Sequence, residues 1–437
     1  MLSPELVAVL GLLLMFAGLF LGVQLAITLG AIGFAGCAMI IGFSKSISLL
    51  TTTPYSTVTD YSFIVLPMFI LMGELAFQGG IGSLLYSAAV KWLGRLHGGL
   101  AMATAVANAF FGAISGSSLA AVATFGKIAL PEMLSYKYDS KLACGVICAA
   151  GTLASLIPPS GIMILYTIFT QVSLSKLMIA GIVPGLLEAL CYMALIYFRV
   201  RLNPRLAPRS LEVVPFKEKL LAIRWLTPIA IVIIVMFGGI YAGVFSPIEA
   251  GAVGAFTVLV VVLARRSLPM PTLRISLANT LYTSAMIFWV IVGAMIFGKF
   301  LVLSGLVDML QDFVTGLAVP PIVILMVVLF IYVVLGCIMS VIEMLVITLP
   351  IFFPLLHGLG FDGVWLGILV VKIVEMAAIT PPYGLNIYVL KGVIGDVVSI
   401  GGLFRGIFPF FIIDVLNLVL LVIFPQICLW LPSMMYQ

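Results

Sequence analysis

Charge is what this sequence has least of. Asp, Glu, Lys and Arg make up 8% of its 437 residues, 16 acids and 21 bases. An ordinary soluble domain carries about 25%. Intrinsic disorder is excluded as well, because it needs high charge and low hydrophobicity. Only two histidines occur, His97 and His357, and both fall outside the apolar runs. Neither H-E-x-x-H nor G-x-S-x-G is present, so zinc-protease and serine-hydrolase readings have no motif to stand on. Polybasic tracts and zinc-finger spacings are missing too, which argues against nucleic acid. The six cysteines (37, 144, 148, 191, 337, 428) all lie in apolar runs. Cys144 and Cys148 are one helical turn apart but bring no further donors, so they read as small hydrophobes. The start, M-L-S-P-E-L-V-A-V-L-G, lacks a basic n-region and reads as a first span rather than a cleaved signal.

What is present is apolar. Hydrophobic residues make up 63% of the chain, and its mean hydropathy is +1.32. A single soluble core stops growing near ~250–300 residues and cannot absorb this much. The remaining class is an all-α polytopic membrane protein. At ~20 residues per span, about ten crossings would use nearly half of the chain. The apolar runs place them at 5–22, 24–43, 61–78, 142–170, 176–198, 226–245, 247–264, 278–303, 362–395 and 405–431. Two are long and interrupted, at Pro158-Pro159 and Pro381-Pro382. Two further segments, 99–134 and 320–356, have small or polar centres and read as re-entrant hairpins.

Basic residues orient the chain. Seven lie between Arg199 and Arg224 (Arg199, Arg201, Arg205, Arg209, Lys217, Lys219, Arg224), and Arg265, Arg266 and Arg274 follow two spans later. Two spans separate these loops, so both can be cytoplasmic, and Lys91 and Arg95 join them only if 99–134 enters and returns without crossing. Both termini then lie outside, and 16 of the 21 bases lie inside. The net charge of +5 therefore reads as loop bias rather than as a sign of an anionic partner.

The chain also repeats itself. I-P-P-S-G at 157–161 is matched by T-P-P-Y-G at 380–384. The offset from Pro158 to Pro381 is also the offset from Pro131 to Pro354, and Gly112 and Gly336 fit it to within a single position. Each half holds five spans and one hairpin, an odd number of crossings, so the second half is inverted. The expected division is 1–200, a cytoplasmic linker over 201–225, and 226–437. Inverted repeats with broken helices near the midplane are the signature of secondary transporters.

The first hairpin centre reads G-A-I-S-G-S-S-L-A at 112–120. Irregular backbone at membrane depth is tolerated only where it is buried or lines a cavity. Its carbonyls and hydroxyls are hard donors that suit a small cation, and a half-helix N-terminus suits an anion. A small-residue packing face is the alternative. Around the first break lie Thr152, Ser155 and Ser160, with carbonyls freed near Leu156 and Ile157 because proline has no N–H. Thr380 and Asn386 flank the second break; a plain structural kink is the other reading. The second hairpin centre, G-C-I-M-S-V-I-E at 336–343, offers Gly336, Ser340 and the charged Glu343. Lys372 and Glu375 also lie within an apolar run, where ionisable groups are functional candidates. Three residues apart, they could pair on one helix. Lys299 and Glu74 could snorkel. Ser115-Gly116 faintly resembles an intramembrane serine protease motif, but no histidine lies in a span to act as its base.

Together, L-P-M-F-I-L-M-G (66–73), A-I-S-G-S-S (113–118), P-P-S-G-I-M-I-L-Y (158–166), S-P-I-E-A-G-A-V (246–253) and I-T-P-P-Y-G-L-N (379–386) resemble the large membrane subunit of tripartite ATP-independent periplasmic (TRAP) transporters. The resemblance covers almost the whole chain. It implies an elevator-type ion-transporter fold, not an enzyme, in which a transport domain of 99–170 plus 320–395 moves against a scaffold formed by the rest. It implies sodium-coupled import of an organic acid, such as a C4-dicarboxylate, a sialic acid or a related carboxylate, across the bacterial inner membrane. The implied partners are a periplasmic substrate-binding protein and a small four-helix membrane subunit, expected as a separate polypeptide. A first sodium site is implied at Ser115, Gly116, Ser117, Ser118, Thr152, Pro158, Pro159, Ser160 and Gly161. A second is implied at Gly336, Ser340, Ala378, Thr380 and Pro381, and substrate contacts at Ser117, Ser160, Pro382, Tyr383 and Asn386. Ser340 and Glu343 depart from the family's frequent Asp-Pro, and Ala377 from a common glycine. A stand-alone sodium/dicarboxylate symporter of the same architecture, and an ion channel, are the alternatives.

Overall fold

The computed structural model describes residues 3–208, 214–317 and 319–435, so Arg209 of the basic loop lies outside the described residues. In chain order the helices are α1 (Pro4–Phe20), α2 (Leu25–Ile41), α3 (Phe43–Thr59), α4 (Val65–Gln78), α5 (Ile81–Leu93), α6 (Gly99–Ser115) and α7 (Ser118–Ser135). Then come α8 (Ser140–Leu156), α9 (Gly161–Thr170), α10 (Leu174–Leu202), α11 (Phe216–Ile223), α12 (Thr227–Tyr241), α13 (Pro247–Ala264) and α14 (Met270–Leu303). Finally come α15 (Leu306–Gly316), α16 (Pro321–Gly336), α17 (Val341–Gly358), α18 (Gly363–Ala377), α19 (Leu385–Ile394), α20 (Ile400–Ile423) and α21 (Gln426–Met435). No strand occurs among the described residues. This is the arrangement hydrocarbon demands, because a helix satisfies its own backbone.

Five of these helices, and the segment Tyr61–Gln78 that ends in α4, are long and apolar enough to cross a bilayer alone, and up to eight spans result among the described residues if each bent pair counts as one. On length and composition the five include α17, which is a hairpin arm. The expected spans at 5–22 and 24–43 are α1 and α2, each 17 residues, a little under the ~20 of an upright span. The 405–431 run is not one helix: it breaks at Phe424-Pro425 into α20 and α21. Sequence reading missed α3, α5, α11 and α15, because short helices of mixed polarity leave no continuous apolar run. One of them, α11, lies inside the stretch expected to be plain linker.

The two halves repeat in their caps as well as in their prolines. Asp139 caps α8, accepting from the Leu142 N–H at 2.9 Å, and Asp362 caps α18, accepting from Val364 and Trp365 at 2.8 and 2.9 Å. Ser117 caps α7 and Ser340 caps α17. Each pair keeps the offset that relates Pro158 to Pro381. Both Pro-Pro bonds are cis. A Cβ on Gly112 would meet the Ala154 backbone, and one on Gly336 would meet Ala377, which stands at that same offset from Ala154.

Packing follows the same symmetry. In the outer layer α2 lies along α14 and α4 along α13. In the inner layer each hairpin grips the first part of its own broken helix: α6 and α7 on α8, α16 and α17 on α18. Its second arm then reaches the other half, α7 onto α19 and α17 onto α9. The broken helices also exchange partners, α8 packing on α20 and α18 on α10. So α10 and α20, expected in the scaffold, pack with the hairpins and broken helices.

Apolar burial does not drive this packing, since lipid is as apolar as leucine; close backbone approach does. The crossing of α8 and α20 depends on it, because a Cβ on Gly145 would strike the Gly406 backbone and one on Gly406 the Lys141 backbone. Gly406→Leu should therefore destabilise the protein by about 1–3 kcal/mol, the usual cost of overpacking. Gly401→Leu, earlier on the same helix where nothing lies within 4 Å, should stay within about 0.5 kcal/mol of the parent. Unfolding curves in detergent micelles compare the two.

Candidate functional site

The first hairpin turns where α6 ends at Ser115. Gly116 takes φ +56°, a left-handed value that glycine meets without strain. Ser117 then starts α7, its hydroxyl accepting from the Ala120 N–H at 3.3 Å. This tip sits on the first break: the Gly161 N–H donates to the Gly116 carbonyl at 3.4 Å, and a Cβ on Gly116 would come within 2.9 Å of the Pro159 oxygen. Ser160 caps α9 through Met163 N–H. The structure thus brings Ser115–Ser118 and Pro158–Gly161 together. Ser115 is 6% exposed and its hydroxyl has no hydrogen-bond partner among the described residues.

The break itself supplies acceptors. Helical donors for the carbonyls of Ala154 and Ser155 would be the nitrogens of Pro158 and Pro159, which carry no hydrogen. Among the described residues no other backbone donor reaches either carbonyl. No group of three or more His, Cys, Asp or Glu among the described residues is placed to hold a metal ion. A cation here would meet neutral oxygens, the donor set that suits a hard ion of low charge.

Thr152 stands apart from the tip. Its hydroxyl donates to Ala149 O at 2.5 Å and lies 3.5 Å from the Tyr192 hydroxyl, on the face of α8 turned to α10. Sequence reasoning passed over Gly73, the last residue of L-P-M-F-I-L-M-G. A Cβ there would come within 2.7 Å of the Ser115 carbonyl. Its signal was a glycine in an otherwise bulky apolar run.

The second break is built differently. Pro381 and Pro382 remove the donors for Ala377 and Ala378, but Thr380 N–H donates to Ala377 O at 3.1 Å and Asn386 N–H to Ala378 O at 3.0 Å. The Thr380 hydroxyl donates to Met376 O at 2.6 Å. Gly336 of the second hairpin rests on Ala377. Ser340 and Glu343 form a capping box, the Ser340 N–H donating to Glu343 Oε2 at 2.7 Å and the Glu343 N–H to Ser340 Oγ at 3.5 Å. Ser246 and Glu249 start α13 in the same way. The charge of Glu343 within an apolar run is thus a helix-capping device. Of the expected substrate contacts, Pro382 is exposed and Tyr383 half-buried. Asn386 is fully buried and turns inward, its amide donating to Cys148 O of α8 at 3.4 Å. A separate cavity of about 400 Å³ lies between α5, α6 and α10, walled by Leu85, Trp92, Phe110 and Met193, and holds none of these residues.

Lys372 and Glu375 do not pair with each other. The Lys372 ammonium lies 2.6 Å from Glu188 of α10 and 2.7 Å from Asp414 of α20. The Tyr192 hydroxyl donates to Asp414 at 2.6 Å, and all three charged side chains are 3% exposed or less. Glu188 and Asp414 were missed, although each is an acid in an apolar span, the same signal that singled out Lys372. Lys299 and Glu74 likewise find protein partners, Thr53 at 2.8 Å and Asn279 at 3.4 Å. All six cysteines are free.

Lys372→Met would strand two buried carboxylates and should cost about 3–5 kcal/mol. Adding Asp414→Asn should recover part of that loss. Thermal unfolding of the single and double variants in micelles reads the difference.

The sequence matches the profile of the tripartite ATP-independent periplasmic transporter, DctM component, over residues 12–427. Curated relatives include the C4-dicarboxylate TRAP transporter large permease protein DctM of Pseudomonas aeruginosa, 34% identical over 92% of this chain and 94% of that one. The sialic acid TRAP transporter large permease protein SiaM of Vibrio cholerae is 28% identical over 96% of each. Among solved structures, the Alcanivorax borkumensis YdaH transporter superposes with a TM-score of 0.59 at 17% identity, over 87% of this chain and 89% of that one; this likeness speaks for the fold alone. The all-helical inverted repeat with paired hairpins and the match along nearly the whole chain lead to one conclusion: this protein belongs to the DctM family of large TRAP transporter permeases and is a membrane transport protein rather than an enzyme.

Proposed function

We propose that this permease couples entry of an organic acid to sodium by an elevator-type movement. One observation carries the reading: the serine-rich tip of the first hairpin, whose Ser115 hydroxyl has no hydrogen-bond partner among the described residues, is seated on a helix break whose Ala154 and Ser155 carbonyls have no backbone donor among them either. Sodium needs no more than neutral oxygens, and its charge offsets that of a carboxylate substrate. Backbone dipoles at the starts of α7 and α9 face the same region and favour the anion. Each hairpin is interlocked with broken helices of both halves, so the set can travel only as a unit. Because α10 and α20 pack onto α8 and α18, the moving unit in this reading includes them, and α1–α4 with α12–α14 form the fixed frame.

The substrate class is that of carboxylates such as C4-dicarboxylates or sialic acids, delivered by a periplasmic binding protein. The remaining partner is a small four-helix subunit in the same inner membrane, with the basic loops cytoplasmic and both termini periplasmic. Uptake into proteoliposomes holding both membrane subunits, with the binding protein added outside, should require an inward sodium gradient. Full-rate uptake without sodium would sink the coupling. Ser115→Ala and Thr380→Ala should each raise the sodium concentration needed for half-maximal uptake. The shift should be larger at Ser115, since the Thr380 hydroxyl already has a backbone partner.

A further inference from the structure

The cavity between α5, α6 and α10 has a chemistry of its own. Leu85 and Trp92 of α5, Phe110 of α6 and Met193 of α10 wall it, together with Ile223 and Leu226 from the turn between α11 and α12. Trp92, Phe110 and Ile223 are exposed, so the cavity opens at the protein surface. Its walls offer no polar surface, and the Trp92 indole N–H already donates to Lys219 O at 3.1 Å. A carboxylate substrate would find no partner there, for a small-molecule site needs a few placed polar groups. Nor does a partner helix fit. A helix with its side chains is about 10 Å across, so a volume of about 400 Å³ encloses about one turn of it. A single acyl chain is narrower and asks for no hydrogen bond.

The rim is of the opposite character. Helix α11 exposes Phe216, Leu220, Leu221 and Ile223 alongside Lys217 and Glu218, the make-up of a helix that lies in the headgroup plane. It packs on α5, where the Lys91 ammonium lies 3.5 Å from Glu218 Oε2 and 4.6 Å above the Trp225 ring. Trp92 and Trp225 thus mark one level, as tryptophans do where hydrocarbon meets water. Charge at this level is one-sided. Lys91 and Arg95 at the end of α5, and Lys217, Lys219 and Arg224 of the α11 segment, face Glu218 as the single acid of these two stretches. Arg95, Lys217 and Arg224 are exposed. Arg224 stands between the wall residues Ile223 and Leu226, so the basic rim borders the apolar slot directly. A zwitterionic headgroup gains little from such a surplus, whereas an anionic one is drawn to it.

We propose that this slot is a binding site for an anionic phospholipid, with one acyl chain between α5, α6 and α10 and the phosphate at Arg224 and Lys217 on the rim. The site rests neither on sodium coupling nor on the identity of the carried substrate.

Quenching of tryptophan fluorescence by lipids brominated on their acyl chains tests it on the purified full-length permease in micelles. Comparison with Trp92→Phe isolates the Trp92 signal. Brominated phosphatidylglycerol should quench Trp92 saturably, at about one-tenth of the concentration that brominated phosphatidylcholine needs. In the double variant Lys217→Gln, Arg224→Gln the two lipids should act alike. Val106→Phe, which narrows the slot from α6, should weaken quenching by both. Equal action of the two lipids on the wild type overturns the proposal, because the slot would then hold bulk lipid only. A preference for phosphatidylglycerol that survives in the double variant overturns the assignment of the rim. The titration is repeated with the small membrane subunit bound. Loss of saturable quenching in that complex also overturns the proposal, because a protein would then cover the slot; persistence supports it.

Discussion

Inside a bilayer a backbone N–H or C=O without a partner has no water to fall back on, and each costs several kcal/mol. The organisation of this protein follows from that constraint. Two helices are broken by Pro-Pro pairs that delete amide donors at membrane depth, so each break has to be enclosed by protein. The hairpins do the enclosing, each seated on the break of its own half and extended to the second half-helix of the other. Glycine makes the fit possible where backbone meets backbone, at Gly112 on Ala154, Gly336 on Ala377 and Gly116 on Pro159. Around this knot the pairs α2–α14 and α4–α13 form a separate layer.

The two breaks meet the same constraint in different ways. In the second half the missing donors are replaced from within, by Thr380 and Asn386, so the backbone there is largely satisfied. In the first half the Ala154 and Ser155 carbonyls have no backbone donor among the described residues. The ionisable groups divide in the opposite sense: Lys372, Glu375 and Asp414 all come from the second half, and only Glu188 from the first. Neutral oxygens thus collect at one break and buried charge gathers behind the other. In a chain with so little charge, Lys372, Glu188 and Asp414 form a buried ion network that fastens α10, α18 and α20.

The sequence carried the repeat unusually far. A constant spacing, first visible in Pro158/Pro381 and Pro131/Pro354, proves to hold for the caps Asp139/Asp362 and Ser117/Ser340. Prolines and caps are local devices, so they survive in a one-dimensional reading. Interhelical partners do not. Lys372 and Glu375 suggest a pair by spacing alone, yet Lys372 is claimed by Glu188 and Asp414, which lie on other helices far from it in sequence, one before and one after. Glu343 looked like a stray charge because its worth as a cap depends on where α17 begins. The packing partners of α10 and α20 were equally hidden, since a span's hydrophobicity does not say which neighbours it chooses. The tip of the first hairpin was the most legible part of the site, because A-I-S-G-S-S combines a turn, hydroxyls and small size in one short stretch.

The central claim is that proline-freed carbonyls of the first break hold the coupling ion. Restoring one amide donor there tests it most directly. Binding of radioactive sodium to the purified permease, compared between the wild type and Pro158→Ala, isolates the effect from transport. If the new N–H occupies the Ala154 carbonyl, sodium affinity should fall by about tenfold or more, ~1.4 kcal/mol. Equal affinity in a correctly folded Pro158→Ala protein would contradict the account.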